Sequence, residues 1–83
     1  MRVLFFAWLR EKAGTGALDV TPPEAVATVG GLMDWLADDH EGAAKALADR
    51  SVVRVAVNQD YVDLDHAVKP GDEVAFFPPV TGG

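Results

Sequence analysis

Eighty-three residues make one small domain, since globular units usually run to about 100–200 residues, and so short a chain has little room for a deep, water-excluded active site of its own. Hydrophobic residues at 49%, charged residues at 24% and a mean hydropathy of +0.11 exclude a disordered chain, while thirteen acids against seven bases give a formal charge of -6 that disfavours nucleic acid or anionic membrane and favours a basic face on another protein. The absence of cysteine excludes a disulfide framework, thiolate chemistry and iron–sulfur ligation, and His40 and His66 lie too far apart in sequence to suggest a zinc site.

The opening MRVLFFAWLREK has the outline of a signal peptide, but Arg10, Glu11 and Lys12 follow the apolar run at once and no small-residue cleavage pattern is present. Val3 to Leu9 is therefore read as a central strand, apolar at both parities, and the default location is cytoplasmic. Gly14-Thr15-Gly16 supplies a turn, and Ala17 to Thr21 alternates as a strand antiparallel to the first before Pro22-Pro23 ends it. From Thr28, a plausible N-cap, the period changes to that of a helix, with Val29, Leu32, Met33 and Leu36 on one stripe and Asp34, Asp38 and Asp39 opposite. An Ala-rich turn or two from Glu41 to Asp49 should present Ala43, Ala44 and Leu47 inward. Val52 to Asn58 alternates as a strand, Asn58-Gln59-Asp60 is a hairpin turn, and Tyr61 to Asp63 is a short return strand. Lys69-Pro70-Gly71-Asp72 suits a type II turn, Glu73 to Phe77 is the last strand, and Pro78-Pro79 stops it.

The order of two strands, a helix, two strands and a final strand resembles the ubiquitin-like β-grasp fold: α+β, one mixed sheet with a main helix packed on one face, here residues 1–79 followed by a flexible Gly-Gly tail, 80–83. That fold implies adjacent, parallel first and last strands at the sheet centre. Val3, Phe5, Ala7, Val74 and Phe76 then face the helix, while Leu4, Phe6, Trp8, Ala75 and Phe77 face outward with no second layer to cover them. Phe6 and Phe77 should stand side by side, and Tyr61 joins them if Val62 and Leu64 point inward; such an exposed apolar patch marks a partner interface. Arg10 either reaches the same face from the end of the first strand or is simply solvated. The Gly30-Gly31 pair lacks the lysine of a phosphate loop and is read as local backbone geometry.

The chain ends Phe76-Phe77-Pro78-Pro79-Val80-Thr81-Gly82-Gly83. Prolines project and stiffen a segment, and Gly-Gly lets backbone pass where a Cβ would block it. The reactive group this implies is the α-carboxylate of Gly83, ionised at neutral pH and a poor electrophile until another protein activates it.

The segments VLFFA with Leu9-Arg10-Glu11, then Ala56-Val57-Asn58-Gln59, and above all GDEVAFFPPVTGG at 71–83 resemble the MoaD family, the small, ubiquitin-like sulfur carrier subunits of molybdopterin synthase. The resemblance covers both ends and the overall length; the middle, Pro22 to Ser51, matches only in helix placement. It implies a non-catalytic, co-substrate subunit within a heterotetramer, with no cofactor of its own. An E1-like adenylyltransferase (MoeB-like) would adenylate Gly83 with ATP, sulfur transfer would convert the terminus to a thiocarboxylate, and the tail, through Pro78, Pro79, Val80, Thr81 and Gly82, would thread into the large synthase subunit (MoaE-like). There it would donate sulfur to cyclic pyranopterin monophosphate held by that subunit. Phe6, Tyr61 and Phe77 would be the partner-facing residues. Alternatives from the same residues are a sulfur carrier for thiamine or tRNA thiolation, and a ubiquitin-like binding or conjugation module.

Overall fold

The computed structural model describes residues 1–79. Its elements are β1 (Arg2–Phe5), α1 (Trp8–Ala13), β2 (Ala17–Asp19), α2 (Val29–Asp39), α3 (Glu41–Ala46), a single 3-10 turn (Arg50–Val52), β3 (Arg54–Val57), β4 (Asp60–Val62) and β5 (Glu73–Phe77). The five strands form one sheet in the order β2-β1-β5-β3-β4. β5 runs parallel to β1 and antiparallel to β3, so first and last strands are central neighbours, as the β-grasp reading requires.

The parity reading holds where the strands are regular. Val3, Phe5, Val74 and Phe76 are buried against α2, whose Val29, Leu32, Met33 and Leu36 form the predicted stripe. The Phe5 and Phe76 rings stack at 5.9 Å between centroids at the middle of this core. Of the residues predicted to point inward from the Ala-rich segment, Ala43 and Leu47 are buried and Ala44 only half so; Ala46 is buried instead.

The first strand is shorter than predicted. It stops at Phe5, and residues 8–13 form α1. The break is a turn in which the Leu9 N–H donates to the Phe6 carbonyl at 3.2 Å, and Ala7 adopts φ 54° and ψ -136°. Those angles belong to a type II′ turn, whose first central position normally asks for glycine. Ala7 is consequently exposed rather than in the core, and Leu9 is fully buried from the helix instead. Gly14 closes α1 in the left-handed conformation at φ 77°, its N–H donating to the Arg10 carbonyl.

Both later turns form where expected, but the hairpin turn is one residue shorter than read, because Asp60 pairs with Val57 and opens β4, which ends at Val62. Asn58 and Gln59 have positive φ (51° and 73°), the signature of a two-residue type I′ hairpin between β3 and β4. Gly71 at φ 88° follows Pro70, and the Asp72 N–H donates to the Lys69 carbonyl at 3.2 Å, closing a type II turn.

Candidate functional site

With α2 and the rest of the core on one side, the sheet's other face has no covering layer among the described residues. The register lines up Leu4, Ala75, Ala56 and Tyr61 in one row across β1, β5, β3 and β4. The next row toward the end of β5 contains Phe77 opposite Arg54. Leu4 and Ala75 are half-buried, and Ala56 is buried among its neighbours. Tyr61 is 82% exposed and Phe6 49% exposed. These are large apolar side chains left in water by the parity that fills the core.

Phe6 lies just beyond β1, yet its N–H donates to the Phe76 carbonyl at 3.0 Å and so continues the parallel ladder by one bond. Phe6 thus follows Phe5 as Phe77 follows Phe76. The ring partner of Phe77 among the described residues is Tyr61, however, with centroids 5.5 Å apart and planes at 47°. The aromatic pair therefore lies on β4 and β5, and Phe6, one residue beyond β1, is not a ring partner of Phe77 among the described residues, unlike the side-by-side placement expected. Val62 and Leu64 pack against the core, which is what turns Tyr61 outward.

Trp8 and Arg10 are displaced from this face because they belong to α1, not to a strand. Trp8 is 37% exposed and lies under the Lys12 ammonium, which is 4.9 Å from the ring centroid. Arg10 covers Gly16, where an added Cβ would come within 3.1 Å of its Nε.

The start of β5, the strand that leads toward the C-terminus, is held by a polar clamp that the sequence reading did not identify. Asp72, immediately before β5, is buried; its two carboxylate oxygens accept from Asn58 Nδ2 and from the Lys69 N–H, each at 2.9 Å. Asn58 in turn accepts from the Glu73 N–H at 3.0 Å through Oδ1, while its own N–H donates to the Glu73 carbonyl at 2.8 Å. Burial pushes the Asp72 carboxyl up, but the Asn58 and Lys69 hydrogen bonds, with the charges of Lys69 and His66, hold it below the ordinary carboxylate range. One hairpin residue thereby pins the start of the strand that leads to the C-terminus. The only sequence signals were an asparagine in a hairpin turn and an aspartate at a type II turn, neither of which names the other as its partner.

The N-terminus of α2 is fully occupied. The Val29 N–H donates to the His66 carbonyl at 3.0 Å, Gly30 to the Leu64 carbonyl at 2.7 Å, and Gly31 to Thr28 Oγ1 at 3.1 Å. The Gly30-Gly31 pair therefore presents no free donors to a phosphate, and a Cβ on Gly30 would sit 3.3 Å from the Leu64 oxygen. His40 caps α3, its Nδ1 accepting from the Ala43 N–H at 3.3 Å, while His66 is exposed. Among the described residues no three potential ligands come together as a metal site. None of the described helices is long and apolar enough to cross a membrane.

Pro78 and Pro79 follow Phe77 directly and are half-buried. Val80, Thr81, Gly82 and Gly83, the remaining predicted tail residues, lie outside the described residues.

Comparison with known proteins finds relatives along the whole length of the chain. A molybdopterin synthase sulfur carrier subunit from Escherichia coli is 47% identical over 83 residues, covering 100% of this chain and 99% of that protein. The human protein of the same name is 31% identical over 86 residues, at 100% and 93% coverage. Among solved structures, SAMP1 from Haloferax volcanii superposes with a TM-score of 0.76 at 34% identity, covering 99% of this chain and 97% of that one. A complex of subunits 1 and 2 of the molybdopterin-converting factor from Helicobacter pylori contains a chain that matches at TM-score 0.65 and 25% identity, with 99% and 96% coverage. The ThiS family model matches residues 3–83, nearly the whole sequence, and the chain belongs to the ThiS family.

Proposed function

We propose that the chain is the sulfur carrier subunit of molybdopterin synthase. The Gly83 carboxylate attacks the α-phosphorus of ATP on an E1-like adenylyltransferase, pyrophosphate leaves, and an acyl-adenylate forms. A sulfide-equivalent nucleophile then adds to the acyl carbon and expels AMP, leaving a thiocarboxylate. The loaded terminus enters the large subunit and delivers its sulfur to cyclic pyranopterin monophosphate. In this scheme the chain supplies a docking face and a terminus, and the pockets belong to its partners.

The observation that carries the reading is positional. β5 is the central strand, it ends at Phe77 inside the exposed aromatic cluster, and the residues leading to Gly83 follow at once. A partner that covers the cluster is thereby placed beside the base of the tail. Full-length similarity to molybdopterin synthase sulfur carrier subunits, and a structural relative described as a complex of subunits 1 and 2, support the large subunit as that partner.

The test is mass spectrometry of the C-terminal peptide after incubation with adenylyltransferase, ATP and a sulfur source. Replacement of one oxygen by sulfur at Gly83 is expected, followed by molybdopterin formation when the large subunit and its pterin substrate are added. Deleting Gly83, or adding one residue after it, should abolish sulfur donation without altering the fold; molybdopterin formed by either variant refutes the proposal. A second reading, attachment to lysines as a protein modifier, is favoured by the likeness to SAMP1 and another small archaeal modifier protein. It predicts an isopeptide-linked product in place of a free thiocarboxylate.

A further inference from the structure

The exposed sheet face is charged at both ends, and the two ends differ. Remote from the tail, Arg2 lies between Asp19 and Glu73 in the strand register, so acids of the same chain flank it. At the tail end, Arg54 stands opposite Phe77, exposed, and no carboxylate lies within ion-pair distance of it among the described residues. Its hydrogen bonds there run from Nη1 alone, to the Ser51 and Val53 carbonyls at 3.4 Å each. Nε and Nη2 make no hydrogen bond among the described residues. The neighbouring Arg50 is different, being engaged by Asp34.

Arg50, Arg54, Tyr61, Asp63, Leu64 and Phe77 wall one shallow groove at this end of the sheet. Its own acid, Asp63, forms no ion pair with Arg54. The groove therefore offers an aromatic surface beside an uncommitted guanidinium, whose planar fork fits a carboxylate through two parallel N–H bonds. The net charge of -6 selects a broadly basic partner. At this one point, however, the chemistry asks for an acid, and a demand that opposes the overall charge discriminates among basic partners.

We propose that this groove is the specificity element of the docking face: Arg54 receives a carboxylate of the large synthase subunit while Tyr61 and Phe77 receive the apolar segment beside it. The inference rests on the reading of the large subunit as the partner that covers this face, and it adds the residue that selects that partner.

The experiment measures binding of the purified full-length chain to the purified large subunit, at about 50 mM and about 500 mM salt, with the melting temperature of each variant alongside. Arg54→Glu should weaken binding by about tenfold or more at low salt, the difference shrinking at high salt, because an exposed pair is lost and a like-charge contact replaces it. Arg54→Lys should recover only part of the affinity, and Arg2→Glu, at the far end of the face, should change binding by less than Arg54→Glu. If the unsubstituted chain binds and Arg54→Glu binds equally well, the inference falls while the partner reading stands. Failure of the unsubstituted chain to bind overturns both. Self-association of the free chain that Arg54→Glu abolishes, seen by sedimentation, would give the groove to a second copy and overturn the inference as well.

Discussion

Tyr61 is the position at which the proposed docking role and a structural role predict the most different outcomes. At 82% exposure it has almost all of its side chain in water, and its ring lies against the tilted ring of Phe77. A tyrosine that becomes fully covered removes about 150–250 Å² from solvent. At about 25 cal/mol per Å², the roughly four-fifths still available here corresponds to about 3–5 kcal/mol of potential binding energy, an upper bound because association also orders the side chain. The fifth already covered corresponds to about 1 kcal/mol of fold stability, similar to a single cross-strand aromatic pair. Tyr61→Ala should therefore weaken binding to the large subunit by about 2 kcal/mol or more, roughly thirtyfold, while lowering stability by about 1 kcal/mol or less. Phe76→Ala is the control: it lies on β5 next to Phe77, the ring partner of Tyr61, is fully buried, and should cost about 3–5 kcal/mol of stability. Titration calorimetry with the large subunit and urea unfolding of the free chain measure the two quantities. A Tyr61→Ala variant that unfolds as readily as Phe76→Ala, or that binds within twofold of the parent, refutes the assignment of the outer face.

Gly42→Ala tests a close approach that helix propensity alone gets backwards. Alanine in a helix is ordinarily about 1 kcal/mol better than glycine, but here the new Cβ would lie 2.0 Å from the Ala13 carbonyl oxygen, so α1 and α3 must separate and a loss of about 1–3 kcal/mol is expected by urea unfolding. Ala7→Gly tests the opposite sign: relief at φ 54° should offset the added chain entropy and leave stability unchanged or raised by about 1 kcal/mol, whereas a loss above about 1 kcal/mol would deny the strain. The Asp72 clamp predicts a pH dependence. Its carboxyl is held below the ordinary range in the folded state, so the stability it contributes is complete above the unfolded value near about 4 and disappears as pH falls through the lower, folded value. The stability gap between the parent and Asp72→Asn should thus be widest at neutral pH and close on acidification; a gap independent of pH down to about 2 would contradict the clamp.

Much of the fold was legible because its main elements obey simple periods. The stripe of Val29, Leu32, Met33 and Leu36 and the alternation of Val53, Val55 and Val57 each have one physical reading, and Asn58 and Gly71 suit the positive φ of their turns, although Gln59 at φ 73° does not. The division of Leu4, Phe77 and Tyr61 from Val3, Phe76 and Val62 followed from strand parity. The first strand was overextended because nothing in Phe6-Ala7-Trp8 marks a turn: alanine stands where a type II′ turn favours glycine, and Leu9, apolar in either setting, suits a strand and the buried side of α1 equally well. The Asn58 and Asp72 clamp was illegible for a different reason. Its partners are fourteen positions apart, and only the fold brings them together.

The same period of two explains how so thin a domain can be both stable and sticky. In β5, Val74 and Phe76 point into the core, and Ala75 and Phe77 point to the uncovered face. Hydrogen bonding to β1 on one side and β3 on the other leaves this strand no free edge along which to slide or fray. The Asp72 and Asn58 contacts fix its first residue, and the Phe76 ring, stacked on Phe5, fixes the position next to its last. Phe77 is thereby presented at a defined height, beside Tyr61 and Arg54, immediately before Pro78. A terminus launched from an edge strand would lack that fixed origin, and a second helix layer over the sheet would remove the face. In the architecture of one helical layer and one bare face, with the last strand at the centre, a single strand holds the core together and, on the proposed function, also sets where the large subunit sits relative to the C-terminus.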